Sequence, residues 1–309
     1  MRSLRIIFMG TPEFAVPSLE KLVANGYEVV GVITAPDKPQ GRGQKLTPSP
    51  VKAAALKHGL NVLQPTNLKA PDFIETLRSL KANLQVVVAF RMLPEVVWSM
   101  PSLGTFNLHA SLLPQYRGAA PINWAIIRGE RETGATTFFL QHEIDTGKII
   151  FQEKEPILDN DNAGSLYDRL MVKGADLVLR TVQAIESGNY PQIPQVIQGE
   201  PRLAPKIFKE TCEINWNQSN IAVRNFVRGL SPYPAAWCTV GGKVFKILKV
   251  SEYAGQSASP GHLETDHKTY LRICTANGWI SIEELQPEGK RRMTITEFFN
   301  GNKLETNPS

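Results

Sequence analysis

The chain has 309 residues, of which 42% are hydrophobic and 20% charged, with a net charge of +5 and a pI near 9.0. A chain this long suits about two domains with ample cores, and its composition is that of a soluble globular protein, not a disordered or fibrous one. Its three cysteines, Cys212, Cys238 and Cys274, lack CxxC spacing, which argues against a disulfide framework and a zinc site, while the mild basic excess permits a polyanionic partner without demanding one.

The first segment, 1–10, is basic and then apolar, but Gly10-Thr11-Pro12-Glu13 interrupts it too early for a signal peptide. It reads as a buried first strand over 4–9. A helix over 17–24 follows, with Gly26 as its stop signal, then a strand over 28–34. Helices are expected over 50–58 (closed by Gly59) and 71–80, with a short strand at 61–63 between them. The nearly unbroken apolar run 84–90 reads as a strand covered on both faces. A helix at 94–98, a strand at 104–109, a helix at 122–128, strands at 136–140 and 149–156 and a long amphipathic helix at 163–187 complete the alternation. That order specifies a Rossmann-like, mostly parallel α/β sheet domain over 1–189. No stretch approaches the ~18 apolar residues of a membrane span, and a cytoplasmic location is expected.

Four prolines, Pro191, Pro194, Pro201 and Pro205, punctuate a segment that reads as a linker, or an extended strap, over 190–205. Beyond it, 216–228 is helix-like, and strands are expected at 236–240, 244–250, 269–275 and 278–285. They fit a small OB-like β-barrel domain over 206–309. Basic residues outnumber acidic ones 21 to 19 before Pro205 and 13 to 10 after it. The later segment is the more basic per residue, though only mildly.

Open α/β sheets bind ligands at the carboxyl ends of their strands. The first strand–helix turn lacks GxGxxG, which weakens a dinucleotide reading. Asn107 and His109, two apart on one strand, leave the same face near its carboxyl end, and Asp145 lies in a later Asp-Thr-Gly turn. An amide can donate to an oxygen gaining negative charge, and an imidazole can do the same or move a proton. A carboxylate can orient the imidazole or accept a proton through water. With no GxSxG elbow and no cysteine near His109 in sequence, direct attack by the substrate's own nucleophile is favoured over a covalent enzyme intermediate. The plainer reading is that Asn107 and His109 are satisfied polar groups at a strand end.

Three features occur together: Asn107-Leu108-His109, then Ser111-Leu112-Leu113-Pro114 with Tyr116-Arg117-Gly118, then Asp145-Thr146-Gly147. In this the chain resembles the 10-formyltetrahydrofolate-dependent formyltransferases. Phe8 to Ala15, Gly41 to Lys52 and Leu230 to Trp237 extend the resemblance over nearly the whole chain and bring it closest to the members that formylate methionyl initiator tRNA. The resemblance implies a catalytic set of Asn107, His109 and Asp145. Asn107 and His109 would stabilise the tetrahedral oxyanion, and Asp145 would assist proton transfer. It implies a folate donor site that includes Ser111, Leu112, Leu113 and Pro114, together with Phe90, Met92 and Leu93, and no metal. Partners would be 10-formyltetrahydrofolate and methionyl initiator tRNA, with no membrane, and the protein would be a monomer. Arg91-Met92 and Gln141-His142-Glu143-Ile144 depart from the family form, which is smaller and richer in Gly there. His142 is thus either a second rim residue touching folate or a surface histidine.

The Pro- and Gly-rich basic loop 36–50 is on composition either a surface insertion or a functional loop. The resemblance makes it the loop that enters the acceptor end of the tRNA, with Arg42 and Lys45 as contacts. Lys206 and Lys209 would meet the same RNA backbone, or else belong to a solvated linker. Lys290-Arg291-Arg292 fits a solvated turn at least as well as phosphate contact. Asp159-Asn160-Asp161-Asn162 lacks a closing glutamate for a calcium loop and reads as a cap on the long helix. A formyltransferase acting on a small amine, glycinamide ribonucleotide or an amino sugar, shares the catalytic residues but does not need the loop or the basic second domain.

Overall fold

The computed structural model describes residues 3–40, 45–197, 199–256 and 258–304. It divides into two compact units: 1–118, 133–155 and 167–203 form the first, and 119–132, 156–166 and 204–309 the second.

The first unit opens with β1 (Arg5–Gly10), whose last five residues are buried, and α1 (Val16–Ala24), which buries Leu19 and Leu22. Gly26, at φ +76°, ends that helix as a left-handed glycine stop. The strand β2 (Glu28–Ile33) leads to a two-stranded hairpin, β3 (Lys38–Gln40) and β4 (Lys45–Thr47). Ser49 caps α2 (Pro50–Lys57), its hydroxyl accepting from the Lys52 N–H at 3.0 Å, with Pro50 at the first helical position. Next come β5 (Val62–Leu63), α3 (Pro71–Ser79), β6 (Leu84–Val88), α4 (Glu95–Trp98), β7 (Thr105–His109) and the short β8 (Arg117–Gly118). Beyond α5 (Pro121–Ile127), which belongs to the second unit, β9 (Glu132–Phe139), β10 (Ile149–Pro156) and α6 (Ala163–Ser187) follow.

The main sheet runs β10-β9-β7-β6-β1-β2-β5. The pairs from β7 through β5 are parallel, and β9 joins β7 antiparallel. This is the mostly parallel α/β sheet expected. Every residue of β6 is buried, as a strand covered on both faces requires. Ile7, Met9, Ile33, Phe73, Leu77 and Val87 are prominent in one core of the unit. The direction of winding reverses between β1 and β6, so the crevice opens at the carboxyl ends of those strands. At that crevice Gly10 is tightly placed, since a Cβ there would lie 2.7 Å from that of Ala15.

The second unit contains β11 (Leu203–Ala204) in part, then α7 (Asn220–Leu230), β12 (Ala236–Val240), β13 (Lys243–Tyr253), β14 (Leu263–Thr265), β15 (Leu271–Cys274), β16 (Trp279–Pro287), β17 (Met293–Thr294) and α8 (Ile295–Phe299). Its sheet is ordered β12-β13-β16-β15-β14, with β17 on β16, and the pairings are antiparallel. Among the described residues no pairing joins β12 to β14, so the expected barrel is realised as a half-barrel. Val223, Val227 and Leu230 of α7 pack with Ile247, Ile273 and Ile280 in its core. The helix expected over 216–228 starts instead at Asn220. Ser219 forms the cap, its hydroxyl accepting from the Ala222 N–H at 3.2 Å, while Trp216 packs on the core from the preceding turn. No helix among the described residues is long and apolar enough to cross a membrane.

Candidate active site

Strand alternation puts Asn107 and His109 on one face of β7 and Leu108 on the other. On the Leu108 side, a Cβ added to Gly174 of α6 would come within 2.7 Å of the Leu108 side chain, so helix and strand pack closely there. The paired strands fix the register: Asn107 lies opposite Val87 of β6 and Phe138 of β9, and His109 opposite Thr136. Asn107 is half-buried, and its carboxamide has no hydrogen-bond partner among the described residues. A polar side chain left open in this way at a strand's carboxyl end is available to a ligand.

His109 is 6% exposed, and its Nε2 lies 2.8 Å from the carbonyl of Tyr116. A carbonyl can only accept, so Nε2 carries the hydrogen in this pairing, and Nδ1 is the ring atom left for chemistry. Nδ1 lies 3.8 Å from Asp145 Oδ2, close enough for charge interaction and too long for a direct hydrogen bond. The tight turn that returns Tyr116 to the histidine is closed by the Ser111 hydroxyl, which donates to the Gln115 carbonyl at 2.7 Å, and Tyr116 itself adopts φ +61°.

Asp145 sits between β9 and β10 at φ +56°, with Oδ2 accepting from the Gly118 N–H at 3.0 Å. Gly147 has no steric alternative: a Cβ would fall 1.6 Å from the Phe139 carbonyl oxygen. The backbone carbonyls of Asp145 and Gly147 both accept from the Gln195 amide, each at 2.8 Å, and Gln195 Oε1 accepts from Arg117 Nε at 3.2 Å and Nη2 at 2.6 Å. Sequence reading missed Gln195. Locally it is one of three glutamines, Gln192, Gln195 and Gln198, in a Pro-spaced strap, with nothing to single it out.

The structure brings Asn107, His109 and Asp145 to one rim. It distributes the other sequence candidates more widely. Ser111 is fully buried, and its carbonyl accepts from the Thr136 hydroxyl at 2.6 Å. Leu113 packs with Phe138 and Ile149, and Leu112 lies over Gly134; Pro114 follows Leu113 through a cis bond. At the end of β6, Leu93 is buried and Phe90 half-buried against the core around Ile7, whereas Met92 is 73% exposed. His142 stands out in solvent, 3.2 Å from Glu95 and edge-on to Trp98 at 5.5 Å.

Arg42 lies outside the described residues, as does the side chain of Lys45, whose backbone begins β4. The base of their hairpin is pinned: Asp37 accepts from Lys52 and Gln64 at 2.7 Å each, and these two hydrogen bonds hold its carboxyl below the usual carboxylate range. Lys206 and Lys209 are both exposed, with Lys206 stacked over Phe208 at 5.2 Å. The basic run at 290–292 is internally paired, Lys290 with Asn302, Arg291 with Glu297 and Arg292 with Glu284. Asn162 caps α6, its Oδ1 accepting from the Ser165 N–H at 2.9 Å. A groove of about 730 Å³ along β10 and α6, lined by Glu153, Asp168, Lys173 and Arg180 among others, contains none of the three rim residues.

An amide, an imidazole and a carboxylate at the edge of an open α/β sheet are groups that a group-transfer reaction can use. Residues 4–182 match the formyl transferase family model, and 206–303 the formyl transferase C-terminal domain model. Methionyl-tRNA formyltransferase of Bacteroides fragilis is 55% identical over 309 residues, covering 96% of this chain and 95% of that protein. The chain belongs to the methionyl-tRNA formyltransferase family. Solved structures share the fold at lower identity. An N-formyltransferase from Helicobacter canadensis, in complex with folinic acid and dTDP-3-aminofucose, is 21% identical with a TM-score of 0.68, over 94% of this chain and all of that one. HypX from Aquifex aeolicus in complex with tetrahydrofolic acid is 20% identical with a TM-score of 0.66, over 97% of this chain; the chain spans about half of it, 48%.

Proposed function

We propose that the protein transfers the formyl group of 10-formyltetrahydrofolate to the α-amino group of methionyl initiator tRNA, in the cytoplasm. The observation that carries the chemistry is the convergence of an Asn107 amide with no partner among the described residues, a fixed His109 and the Asp145 carboxylate on one rim. The donor supplies an activated formyl carbon. The neutral amine attacks that carbon, and the formyl oxygen gains negative charge, which the Asn107 amide meets as a hydrogen-bond donor. His109, anchored through Nε2, presents Nδ1 for donation to the same oxygen or for proton movement. Asp145, 3.8 Å away, stabilises the charged imidazole and accepts the amine proton through an intervening water. The oxyanion collapses to the carbonyl of the new amide as the C–N10 bond breaks. N10 takes up the proton that the amine surrendered, returned through the same water, and leaves as the N10–H of tetrahydrofolate, and no step calls for a metal.

The half-buried Phe90 and the exposed Met92, beside the β1/β6 crevice, suit the flat ring of the donor, with Leu93 and the 111–114 turn supporting the wall. Arg42 and Lys45, which belong in sequence to the segment 36–50, and the exposed Lys206 and Lys209 are assigned to the RNA backbone. A small amine acceptor gives none of these basic groups a task. Competing charged initiator tRNA against glycinamide ribonucleotide and an amino sugar in one reaction tests the choice. The reading expects formylmethionyl-tRNA as the dominant product; preferential formylation of either small amine defeats it.

A further inference from the structure

Of the segment read from sequence as a linker or an extended strap, residues 190–203 belong to the first unit. Ile193 exchanges both backbone hydrogen bonds with Ile149, at 2.8 and 2.9 Å, fastening the strap to the first residue of β10, four positions beyond Asp145. Gln195 then donates to the carbonyls of Asp145 and Gly147 while accepting from Arg117. Further along, the Arg202 carbonyl accepts from the Tyr116 N–H at 2.6 Å, and Tyr116 is the residue whose own carbonyl holds His109 Nε2. One extended segment therefore grips both the residue behind the imidazole and the turn that carries the carboxylate.

We infer that Gln195, held by Arg117, is a positioning residue that sets the orientation of Asp145 toward His109, making the 190–203 strap part of the catalytic apparatus. Asp145 needs such a brace. Its φ of +56° is a conformation that residues with a Cβ occupy only when their surroundings enforce it. Its carboxylate accepts from the backbone N–H of Gly118 in β8, adjacent to Arg117. Arg117 thus fixes the amide of Gln195 on one side of the turn while its neighbour fixes the carboxylate on the other. Gln195 supplies two N–H donors to two carbonyls and one oxygen to a guanidinium. Among the ordinary side chains, only a primary amide of this length serves all three.

This inference rests on the catalytic assignment of Asp145, and the test separates the two. Gln195→Glu keeps an acceptor for Arg117, so the strap stays attached, but it cannot donate to the Asp145 and Gly147 carbonyls. The expected result is kcat for formyl transfer lowered about tenfold to a hundredfold, as a misplacement of about 1 Å produces. KM for both substrates should stay within about threefold, with an unchanged melting temperature. Gln195→Asn, shorter by one methylene and uncharged, should behave alike if the Glu variant folds poorly. Added to Asp145→Ala, Gln195→Glu should slow the enzyme by less than about twofold more, because the brace acts through that carboxylate. Wild-type kcat in Gln195→Glu, or losses that multiply in the double variant, overturn the brace while leaving Asp145 assigned. Wild-type kcat in Asp145→Ala overturns the assignment of the carboxylate and the brace with it.

Discussion

The division of labour among the rim residues has measurable consequences. The Asn107 side chain has no hydrogen-bond partner among the described residues, so Asn107→Ala should lower kcat about a hundredfold or more, in the range seen when one oxyanion donor is removed. The half-buried position of Asn107 keeps the cost to stability small, so its melting temperature should stay within a few degrees of wild type. A purely structural asparagine would show the reverse, a lowered melting temperature with near-normal turnover. Gly147→Ala tests the turn from another direction. Its Cβ would collide with the Phe139 carbonyl at 1.6 Å, forcing the β9–β10 connection to move and carrying Asp145 with it. Thermal unfolding should show a loss of at least about 2 kcal/mol, together with collapse of turnover. Full activity in Gly147→Ala would mean that the turn tolerates displacement. Sequence patterning put Asn107 and His109 on one face because same-face spacing on a strand is local information. It did not reach the orienting partners: the Tyr116 carbonyl is a backbone atom with no residue-type signature, and Gln195 lies 50 positions from Asp145.

Among the elements, β10 and α6 are tied by a buried carboxylate. Glu155, 6% exposed, accepts from Arg169 Nε and Lys173 Nζ, each at 2.7 Å. Burial pushes its carboxyl up, but the hydrogen bonds from Lys173 and Arg169 outweigh burial, and the net shift is downward. A carboxyl held below its unfolded value contributes stability above the unfolded value, and that stability is lost as pH falls through the folded one. Glu155→Gln should therefore cost about 2 kcal/mol near neutral pH, below the roughly 3–5 kcal/mol of a fully buried broken pair because both cations reach solvent. The deficit should shrink as the solution is acidified below the ordinary carboxylate range. A variant equally destabilised at all pH values would contradict this origin. The elements themselves were legible wherever periodicity was long: the apolar run that became β6, and the amphipathic stretch that became α6 over Ala163–Ser187. Short pairings were not. Lys38–Gln40 and Lys45–Thr47 read as loop because three residues carry no usable alternation, and the hairpin exists through their mutual pairing. The start of α7 was misplaced because Trp216 continues an apolar pattern that Ser219 terminates.

On the scale of the whole molecule, the alternation of strand and helix made α5 look like another helix of the sheet domain. Its packing lies elsewhere. Ile127 joins the core around Val227, Asn123 donates to the Gly229 carbonyl at 2.8 Å, and a Cβ on Gly229 would meet the Ile127 side chain at 2.6 Å. No local signal announces a partner about a hundred residues away. A chain ending at residue 205 should accordingly leave the apolar face of α5 uncovered. Such a chain should be recovered aggregated or rapidly digested at 119–132 under limited proteolysis. A stable, protease-resistant fragment would show that α5 does not depend on α7.

The most direct measurement is a single-turnover reaction with enzyme in excess over methionyl initiator tRNA and 10-formyltetrahydrofolate, following formylmethionine with time in wild type and in His109→Ala. Wild type should convert the charged tRNA completely. His109→Ala should do so about a hundredfold or more slowly, as loss of a proton-transfer group entails, with its melting profile preserved. Charged tRNA left unformylated by the wild type, or formylated equally fast without the imidazole, would contradict the account.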